Sequence, residues 1–184
     1  MIREDTTLSQ SGLEILFSAA DIEAAVRRLA EEIRRDYREK NPVLVGVLKG
    51  CFIFMADLVR ILDMPLETEF ISLSSYGPGR TESRGTVEVV QGLRKPVRGR
   101  HVLVVEDMMD TGITADFALR YVRRRRPASV RLCALFDKPV RRRVNVPIDY
   151  LGLSVPDRFV VGYGLDFDER YRYFPGLYYL KEHS

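Results

Sequence analysis

The densest group of residues able to do chemistry lies in residues 104–114, VVEDMMDTGIT. An apolar run that predicts a buried strand ends in Glu106 and Asp107, and Asp110 follows at the predicted start of a helix. In an open α/β sheet, ligands bind at the carboxyl ends of the strands. Carboxylates placed there can accept hydrogen bonds from sugar hydroxyls, ligate a divalent cation or move a proton. The pattern favours Glu106 and Asp107 for a ribose and a metal ion, and Asp110 for a proton.

The turn that follows these acids suits a phosphate group. A helix N terminus presents free backbone N–H groups and the positive end of the helix dipole. Gly112 lets the backbone approach a ligand closely, and the hydroxyls of Thr111 and Thr114 add hydrogen-bond donors. A purely structural interpretation, in which the acids only cap the helix, suits one carboxylate better than three.

The rest of the sequence predicts the elements that position this segment. Ser18 and Asp21 form a capping-box pair before a helix with one apolar face, and Asn41-Pro42 stops that helix. Further helices are predicted at 52–62 and from Gly112 to Arg126, and strands at 43–48, 67–75, 86–91, 102–105, 130–136, 149–155 and 159–162. This alternation is typical of right-handed βαβ units. We expect one α/β domain over residues 1–184, with a central, mostly parallel sheet flanked by helices.

The composition excludes several classes of protein. With 46% hydrophobic and 30% charged residues, the chain is too apolar for disorder and too charged for a membrane protein. A net charge of +3 is far below that of a dedicated nucleic-acid binder, so the arginines at 123–126 and 141–143 are expected to be solvated surface. Cys51 and Cys133 predict buried free thiols in a reducing compartment. Without a signal peptide or transmembrane pattern, we expect a soluble, cytoplasmic protein with no nucleic-acid or membrane partner.

Residues 104–114 resemble the signature of the type I phosphoribosyltransferases, which has two acids, two apolar residues, then Asp-Thr-Gly and a further Thr. The resemblance implies the type I phosphoribosyltransferase fold, in which a small hood and a flexible active-site loop accompany the central sheet. It also implies Mg²⁺ as cofactor and phosphoribosyl pyrophosphate as substrate, with the ribose facing Glu106 and Asp107. The 5′-phosphate would bind to Asp110, Thr111, Gly112, Ile113 and Thr114.

Two short segments resemble one branch of this family, the hypoxanthine-guanine phosphoribosyltransferases. VLKG is similar to that branch's pyrophosphate loop, which implies that Lys49 and Gly50 bind pyrophosphate and that the bond from Leu48 to Lys49 is cis. SSYG is similar to the start of the active-site lid, which implies a flexible lid containing Ser75 and Tyr76. A closing loop would shield a developing ribosyl cation from water. The local sequence alone fits an ordinary hairpin loop equally well.

Two later segments, FDKP and PDRFVVGYGLDFDERYR, extend the resemblance to the purine site. The lysine matching Lys138 reaches the 6-oxo oxygen of the purine in this branch. Phe159 would stack on the purine, the Val160 backbone would read its edge, and Arg172 would meet the pyrophosphate. Asp166 would lie at the purine and bind magnesium. The implied metal ligands are Glu106, Asp107 and Asp166.

The resemblance implies a purine salvage reaction that joins hypoxanthine or guanine to the phosphoribosyl group and releases pyrophosphate, with Asp110 taking the proton from purine N7. A homodimer or homotetramer is also implied. An RNA-binding regulator on the same fold is a second reading, disfavoured by the small net charge and by the presence of Lys138, Phe159 and Asp166. An enzyme that prefers xanthine fits the same residues, whereas Lys138 disfavours adenine.

Overall fold

The computed structural model describes residues 12–74 and 87–180, so the predicted lid residues Ser75 and Tyr76 lie outside the described residues. In chain order the elements are β1 (Leu13–Phe17), α1 (Ala19–Tyr37), β2 (Val43–Leu48), α2 (Phe52–Leu62), β3 (Glu67–Ser74), β4 (Glu88–Gln91), β5 (His101–Met109), α3 (Ile113–Arg123), β6 (Ser129–Asp137), β7 (Tyr150–Ser154), β8 (Val160–Val161) and β9 (Leu177–Leu180). A short 3-10 helix, Pro139–Arg141, follows β6. No helix in these ranges has the length and apolar character that crossing a membrane requires.

Helix α1 begins with the predicted capping box. The Ser18 hydroxyl accepts a hydrogen bond from the Asp21 backbone N–H at 3.2 Å, and the Asp21 carboxylate accepts one from the Ser18 N–H at 2.8 Å. These two bonds satisfy donors that a helix start otherwise leaves open. The apolar face is buried and contains Ile22, Val26, Leu29, Ile33 and Tyr37. Local sequence therefore sets both the start of α1 and the face that it packs on the sheet.

The central sheet has six strands in the order β4-β3-β2-β5-β6-β7. Every described neighbour pair from β3 to β7 is parallel, and β4 pairs antiparallel with β3 at the edge. Helices α1 and α2 cover one face of the sheet and α3 covers the other. Because both faces are covered, the inner strands are continuously apolar, as in VLVGVL of β2. The predicted α/β fold with a mostly parallel sheet is confirmed.

Parallel strands bring the ends of β2, β5 and β6 to one edge of the sheet. The residues that follow these three strands are Lys49, Asp110 and Lys138. Strand β5 is longer than the predicted 102–105, because its pairing with β6 continues until Met109 lies opposite Asp137. Glu106 and Asp107 therefore belong to the strand instead of following it. Sheet register, which a loop would lack, fixes their backbone positions.

A second, smaller sheet corresponds to the predicted hood. Its three antiparallel strands have the order β1-β9-β8, with Ile15 opposite Tyr178 and Val160 opposite Tyr179. The sequence did not predict β1 or β9, and the aromatic segment that contains β9 packs within its own chain. Strand β8 is shorter than the predicted 159–162. Phe159 precedes it, and Gly162 leaves it with a φ of 103°.

Candidate active site

The turn after β2 is built against the acidic end of β5. The peptide bond between Leu48 and Lys49 is cis, as the resemblance implied. A Cβ on Gly50 would lie 1.7 Å from Asp107 Oδ2 and 2.6 Å from Asp107 Cγ. Any side chain at position 50 would therefore displace the Asp107 carboxylate. The structure brings the predicted pyrophosphate turn and a predicted ribose-binding acid into direct contact.

Gly164 closes the same contact from the segment after β8. Its φ is 97°, and a Cβ there would lie 2.2 Å from the carbonyl oxygen of Gly50. A residue with a side chain would be strained in this conformation and would also collide with the turn. This close approach of two backbones brings the segment containing Asp166 and Arg172 beside Asp107. Gly164 was not among the predicted site residues, although it belongs to the GYG inside the segment PDRFVVGYGLDFDERYR.

The acidic pair lies where the protein only partly compensates negative charge. Burial raises the pKa of Asp107 to about 6; the negative charge of Asp166 adds to this increase and Arg172 opposes it. Glu106 is 5% exposed, and its burial, followed by the charge of Asp107, raises the pKa of Glu106 well above its ordinary value. Like charges in a poorly solvated place favour a cation nearby.

The carboxylates fit a magnesium ion that is shared with a substrate. Within residues 12–74 and 87–180, no three His, Cys, Asp or Glu side chains gather as a metal site. Mg²⁺ usually takes one or two protein carboxylates and completes its shell with substrate phosphates and water. Asp107 and Asp166 suit that pattern, because the charge of Asp166 acts on Asp107 beside the pyrophosphate turn. Glu106 is the more deeply buried of the predicted ligands.

The predicted phosphate-binding residues occupy the turn from β5 into α3, namely Asp110, Thr111, Gly112, Ile113 and Thr114. Gly112 is the N-cap of α3 and has a φ of 83°, in the left-handed region that favours glycine. A Cβ there would lie 2.5 Å from the carbonyl oxygen of Val144. The Thr111 carbonyl accepts hydrogen bonds from the N–H groups of Arg143 and Val144, at 2.9 and 3.0 Å. The segment after the 3-10 helix therefore packs against the turn and holds it by these hydrogen bonds.

Asp110 has an acceptor atom available for a ligand. Its Oδ1 is buried and has no hydrogen-bond partner among the described residues. Its Oδ2 lies 3.6 Å from a guanidinium nitrogen of Arg141. A buried acceptor without a donor costs about 1–3 kcal/mol, so such atoms are rare away from functional sites. The geometry suits a carboxylate that accepts a proton or an N–H from a bound molecule.

Lys138 and Phe159 form the side of the site assigned to the purine. Lys138 is 5% exposed, and its ammonium donates a hydrogen bond of 2.7 Å to the carbonyl oxygen of Arg158. An ammonium group has three donors, so two remain for other acceptors. The Phe159 ring is half exposed and meets the Phe167 ring edge-on, with centroids 5.5 Å apart. Val160 is buried in β8 directly after Phe159.

Arg172 and Lys49, the two predicted pyrophosphate cations, converge on a residue that the sequence analysis missed. The Glu169 carboxylate lies 2.7 Å from the Lys49 ammonium and 3.1 Å from the Arg172 guanidinium. Arg172 also pairs with Asp166 at 2.8 Å and donates to the Gly164 carbonyl at 2.7 Å. The available signal was an acid placed three residues before the arginine in a polar turn.

Arg142 corrects the expectation that residues 141–143 are solvated surface. Its side chain is 17% exposed and pairs with the carboxylate of Asp137, which is 12% exposed. One guanidinium nitrogen of Arg142 is buried without a partner among the described residues. The chain folds back beneath the phosphate turn, so that Arg142 Cδ lies 3.2 Å from the Cβ position of Gly112. The run of arginines at 141–143 does not by itself show which of them is buried.

A cavity of about 930 Å³ lies apart from these groups, between α1, α2 and the segment before β9. Charged and aromatic side chains line it, among them Arg27, Arg34, Asp57, Tyr163, Tyr173 and Phe174. It contains none of the residues predicted for substrate or metal. The chemistry predicted from the sequence therefore gathers at the open edge of the sheet, outside this cavity.

Comparison with known proteins agrees with this arrangement. The family model described as "Phosphoribosyl transferase domain" matches residues 13–168. A hypoxanthine phosphoribosyltransferase of Haemophilus influenzae is 44% identical over 163 residues, which cover 87% of this chain and 90% of that protein. The solved structure of a hypoxanthine phosphoribosyltransferase from Staphylococcus aureus has a TM-score of 0.89 at 36% identity and covers 97% of both chains. A hypoxanthine-guanine phosphoribosyltransferase from Bacillus anthracis has a TM-score of 0.85 at 38% identity, covering 91% of this chain and 98% of that one.

The chain has a mostly parallel sheet, and the family model matches residues 13–168, which are most of its length. The chain therefore belongs to the phosphoribosyltransferase family. Within that family, the three relatives above are named as hypoxanthine or hypoxanthine-guanine phosphoribosyltransferases. The family resemblance stated from the sequence is thereby confirmed.

Proposed function

We propose that the protein transfers the 5-phosphoribosyl group of phosphoribosyl pyrophosphate to hypoxanthine and guanine in purine salvage, giving IMP or GMP and pyrophosphate. The supporting observation is Lys138, whose buried ammonium is held by the Arg158 carbonyl beside the half-exposed ring of Phe159. A fixed cationic donor suits a base with an oxo group, and Phe159 directly follows Arg158, whose carbonyl holds that donor. The names of the relatives point to the same substrates.

The two phosphate-bearing ends of the substrate would bind to different strand ends. The 5′-phosphate would lie on the turn from Asp110 to Thr114, where Gly112 turns the backbone and α3 begins. The ribose hydroxyls would donate to Glu106 and Asp107. The pyrophosphate would lie on the Gly50 turn, against the charges of Lys49 and Arg172. Magnesium, held by Asp107 and Asp166 with Glu106 beside them, would supply further positive charge to the departing pyrophosphate.

Asp110 would act as the general base. As purine N9 forms a bond to the anomeric carbon, the bond from that carbon to the pyrophosphate oxygen breaks and its electrons leave with pyrophosphate. The N7 proton passes to the Asp110 carboxylate, whose Oδ1 has no described hydrogen-bond partner to compete for it. Lys49 and Arg172 stabilise the charge that develops on the leaving group.

Lys138 would set the choice of base. Its free N–H donors match the 6-oxo oxygen of hypoxanthine, guanine or xanthine and face a mismatched amino group in adenine. A site built to donate one hydrogen bond rejects the wrong partner because a buried polar group is left unpaired. Phe159 would add stacking on the ring, and the Val160 backbone would read the edge opposite N7.

The test is pyrophosphate release with magnesium and phosphoribosyl pyrophosphate, offering hypoxanthine, guanine, xanthine and adenine separately. Turnover with hypoxanthine and guanine and little with adenine is expected. Xanthine as the best substrate would overturn the stated preference while keeping the reaction. If none of the four bases is turned over, the proposed enzymatic activity is wrong, and a nucleotide-sensing regulator on the same fold is favoured.

We also propose that the enzyme works in the cytoplasm as a homodimer or homotetramer. Several large apolar side chains are unusually exposed on the described surface, including Tyr173 at 71% and Val90 at 70%. The resemblance stated from the sequence implies such an assembly, and these side chains are candidates for the surface at which subunits meet. Sedimentation velocity of the purified protein should give two or four times the chain mass of 21.2 kDa. A single species at one chain mass would contradict this assembly.

A further inference from the structure

The Glu169 carboxylate lies between the two cations, Lys49 and Arg172, that are assigned to pyrophosphate. Its two carboxylate oxygens are divided between the cations: one is 2.7 Å from the Lys49 ammonium and the other is 3.1 Å from the Arg172 guanidinium. The hydrogen bond from Lys49, followed by the one from Arg172, holds the pKa of Glu169 below its ordinary value. The carboxylate is therefore ionised at neutral pH and neutralises part of the charge assigned to pyrophosphate.

The turn that carries Glu169 does not depend on this carboxylate. The Glu169 backbone N–H donates to Asp166 Oδ2 at 2.9 Å, and Phe167 and Arg170 exchange backbone hydrogen bonds of 3.0 and 3.2 Å. These bonds fix the backbone at Glu169, whose φ is 60°. Its side chain is 64% exposed. It can rotate into solvent without breaking the turn.

Arg172 has anchors that remain when Glu169 moves. Its guanidinium donates to the Gly164 carbonyl at 2.7 Å and pairs with Asp166 at 2.8 Å. Among the described contacts, the Lys49 ammonium has Glu169 as its hydrogen-bond partner. Departure of Glu169 would leave Arg172 in position and free Lys49 to follow another anion. A pyrophosphate carries more negative charge than one carboxylate and would win this competition.

We infer that Glu169 is a displaceable internal anion that holds Lys49 and Arg172 together before substrate binds, leaves them to the diphosphate, and returns as pyrophosphate departs. This inference rests on the proposed function and adds a residue that sets pyrophosphate affinity. Glu169 competes with the leaving group for the same two cations. Its presence weakens pyrophosphate binding and speeds product release.

The first test is calorimetric titration of the protein with magnesium pyrophosphate. Removing the competing charge with Glu169→Gln should lower the Kd for pyrophosphate by roughly three- to tenfold, as expected for the loss of one exposed and one partly buried ion pair. The KM for phosphoribosyl pyrophosphate should fall as well, while kcat stays constant or falls because release slows. An unchanged or higher Kd in the variant would overturn the inference.

Glu67, the first residue of β3, offers a matched control. Its carboxylate also bridges an arginine and a lysine, Arg100 at 2.8 Å and Lys95 at 3.4 Å. Glu67→Gln removes the same charge from the same kind of pair, and we expect no change in pyrophosphate Kd. An equal gain in both variants would mean that net charge alone acts, and the inference would fall.

Lys49→Met separates local competition from other effects. In that background, Glu169→Gln should change the Kd by clearly less than it does in the wild type, because one of the shared cations is gone. The full gain without Lys49 would contradict the bridge. These outcomes are distinct from failure of the proposed function, in which the wild type itself would make no nucleotide and bind no pyrophosphate.

Discussion

Gly50→Ala tests the contact on which the whole site depends. The added Cβ would lie 1.7 Å from Asp107 Oδ2, whereas real Cβ atoms essentially never approach a neighbour closer than 3.0 Å. The carboxylate or the turn must therefore retreat by more than about 1 Å. A displacement of that size at a reacting centre costs on the order of a hundredfold in rate. We expect kcat/KM for phosphoribosyl pyrophosphate to fall by about that factor.

The assay for Gly50→Ala is initial-rate kinetics with hypoxanthine, paired with thermal unfolding. Gly12→Ala is the control, because a Cβ at Gly12 meets nothing within 4 Å. It should keep wild-type kinetics. The melting temperature of Gly50→Ala should change little, because the three atoms nearest to the added Cβ all belong to the end of one side chain, Asp107. A Gly50→Ala enzyme within threefold of wild-type kcat/KM would refute the reasoning.

Three further predictions concern the acids and the purine-side lysine. Asp110→Asn should lower kcat by roughly a hundredfold or more, the usual worth of a general base, and a wild-type kcat in that variant would contradict the assignment. Lys138→Met should reduce the preference for hypoxanthine over adenine in kcat/KM by at least tenfold; an unchanged ratio would place selectivity elsewhere. Folding raises the pKa of Asp107 to about 6, so between about pH 4 and 6 the folded state binds more protons than the unfolded state. Ionisation of Asp107 therefore lowers the stability of the folded state as the pH rises through this range. Asp107→Asn should therefore raise the free energy of unfolding by about 3 kcal/mol at pH 8 and hardly at pH 4, and equal effects at both pH values would refute this origin.

The elements with strong local signals were predicted closely. Strand β2 and helix α2 have the predicted bounds, and α1 has the predicted cap, because apolar runs and capping pairs are local properties. Strand β5 was predicted too short because Glu106 and Asp107 interrupt the apolar run, although pairing with β6 continues past them. The strands β1 and β9 were missed, since each gains its hydrogen bonds from residues far away in the chain.

The candidate site shows the same division. The motifs predicted which residue types gather at the carboxyl edge, and the structure places Asp107 on Gly50 and Asp110 at the α3 turn. The roles of these residues in binding ligands stay predictions, as does the assignment of residues 1–184 to a single domain. Glu169 and Arg142 were missed because their importance comes from partners brought near by folding. The buried free state of both cysteines, Cys51 and Cys133, was predicted and is confirmed.

The pairing of β1 with β9 has a consequence for the order in which the enzyme is completed. Strand β8, which follows Phe159, pairs with β9 in the described sheet, and β9 pairs in turn with β1. Strand β9 is synthesised after every other described element, and a nascent chain folds from its N-terminal side as it emerges. The phosphate turn can form while the ribosome is still at work. The small sheet that holds β8 is complete only after β9 has paired with both β8 and β1. A chain stalled before β9 would therefore contain the turn assigned to the 5′-phosphate but lack the finished wall assigned to the purine.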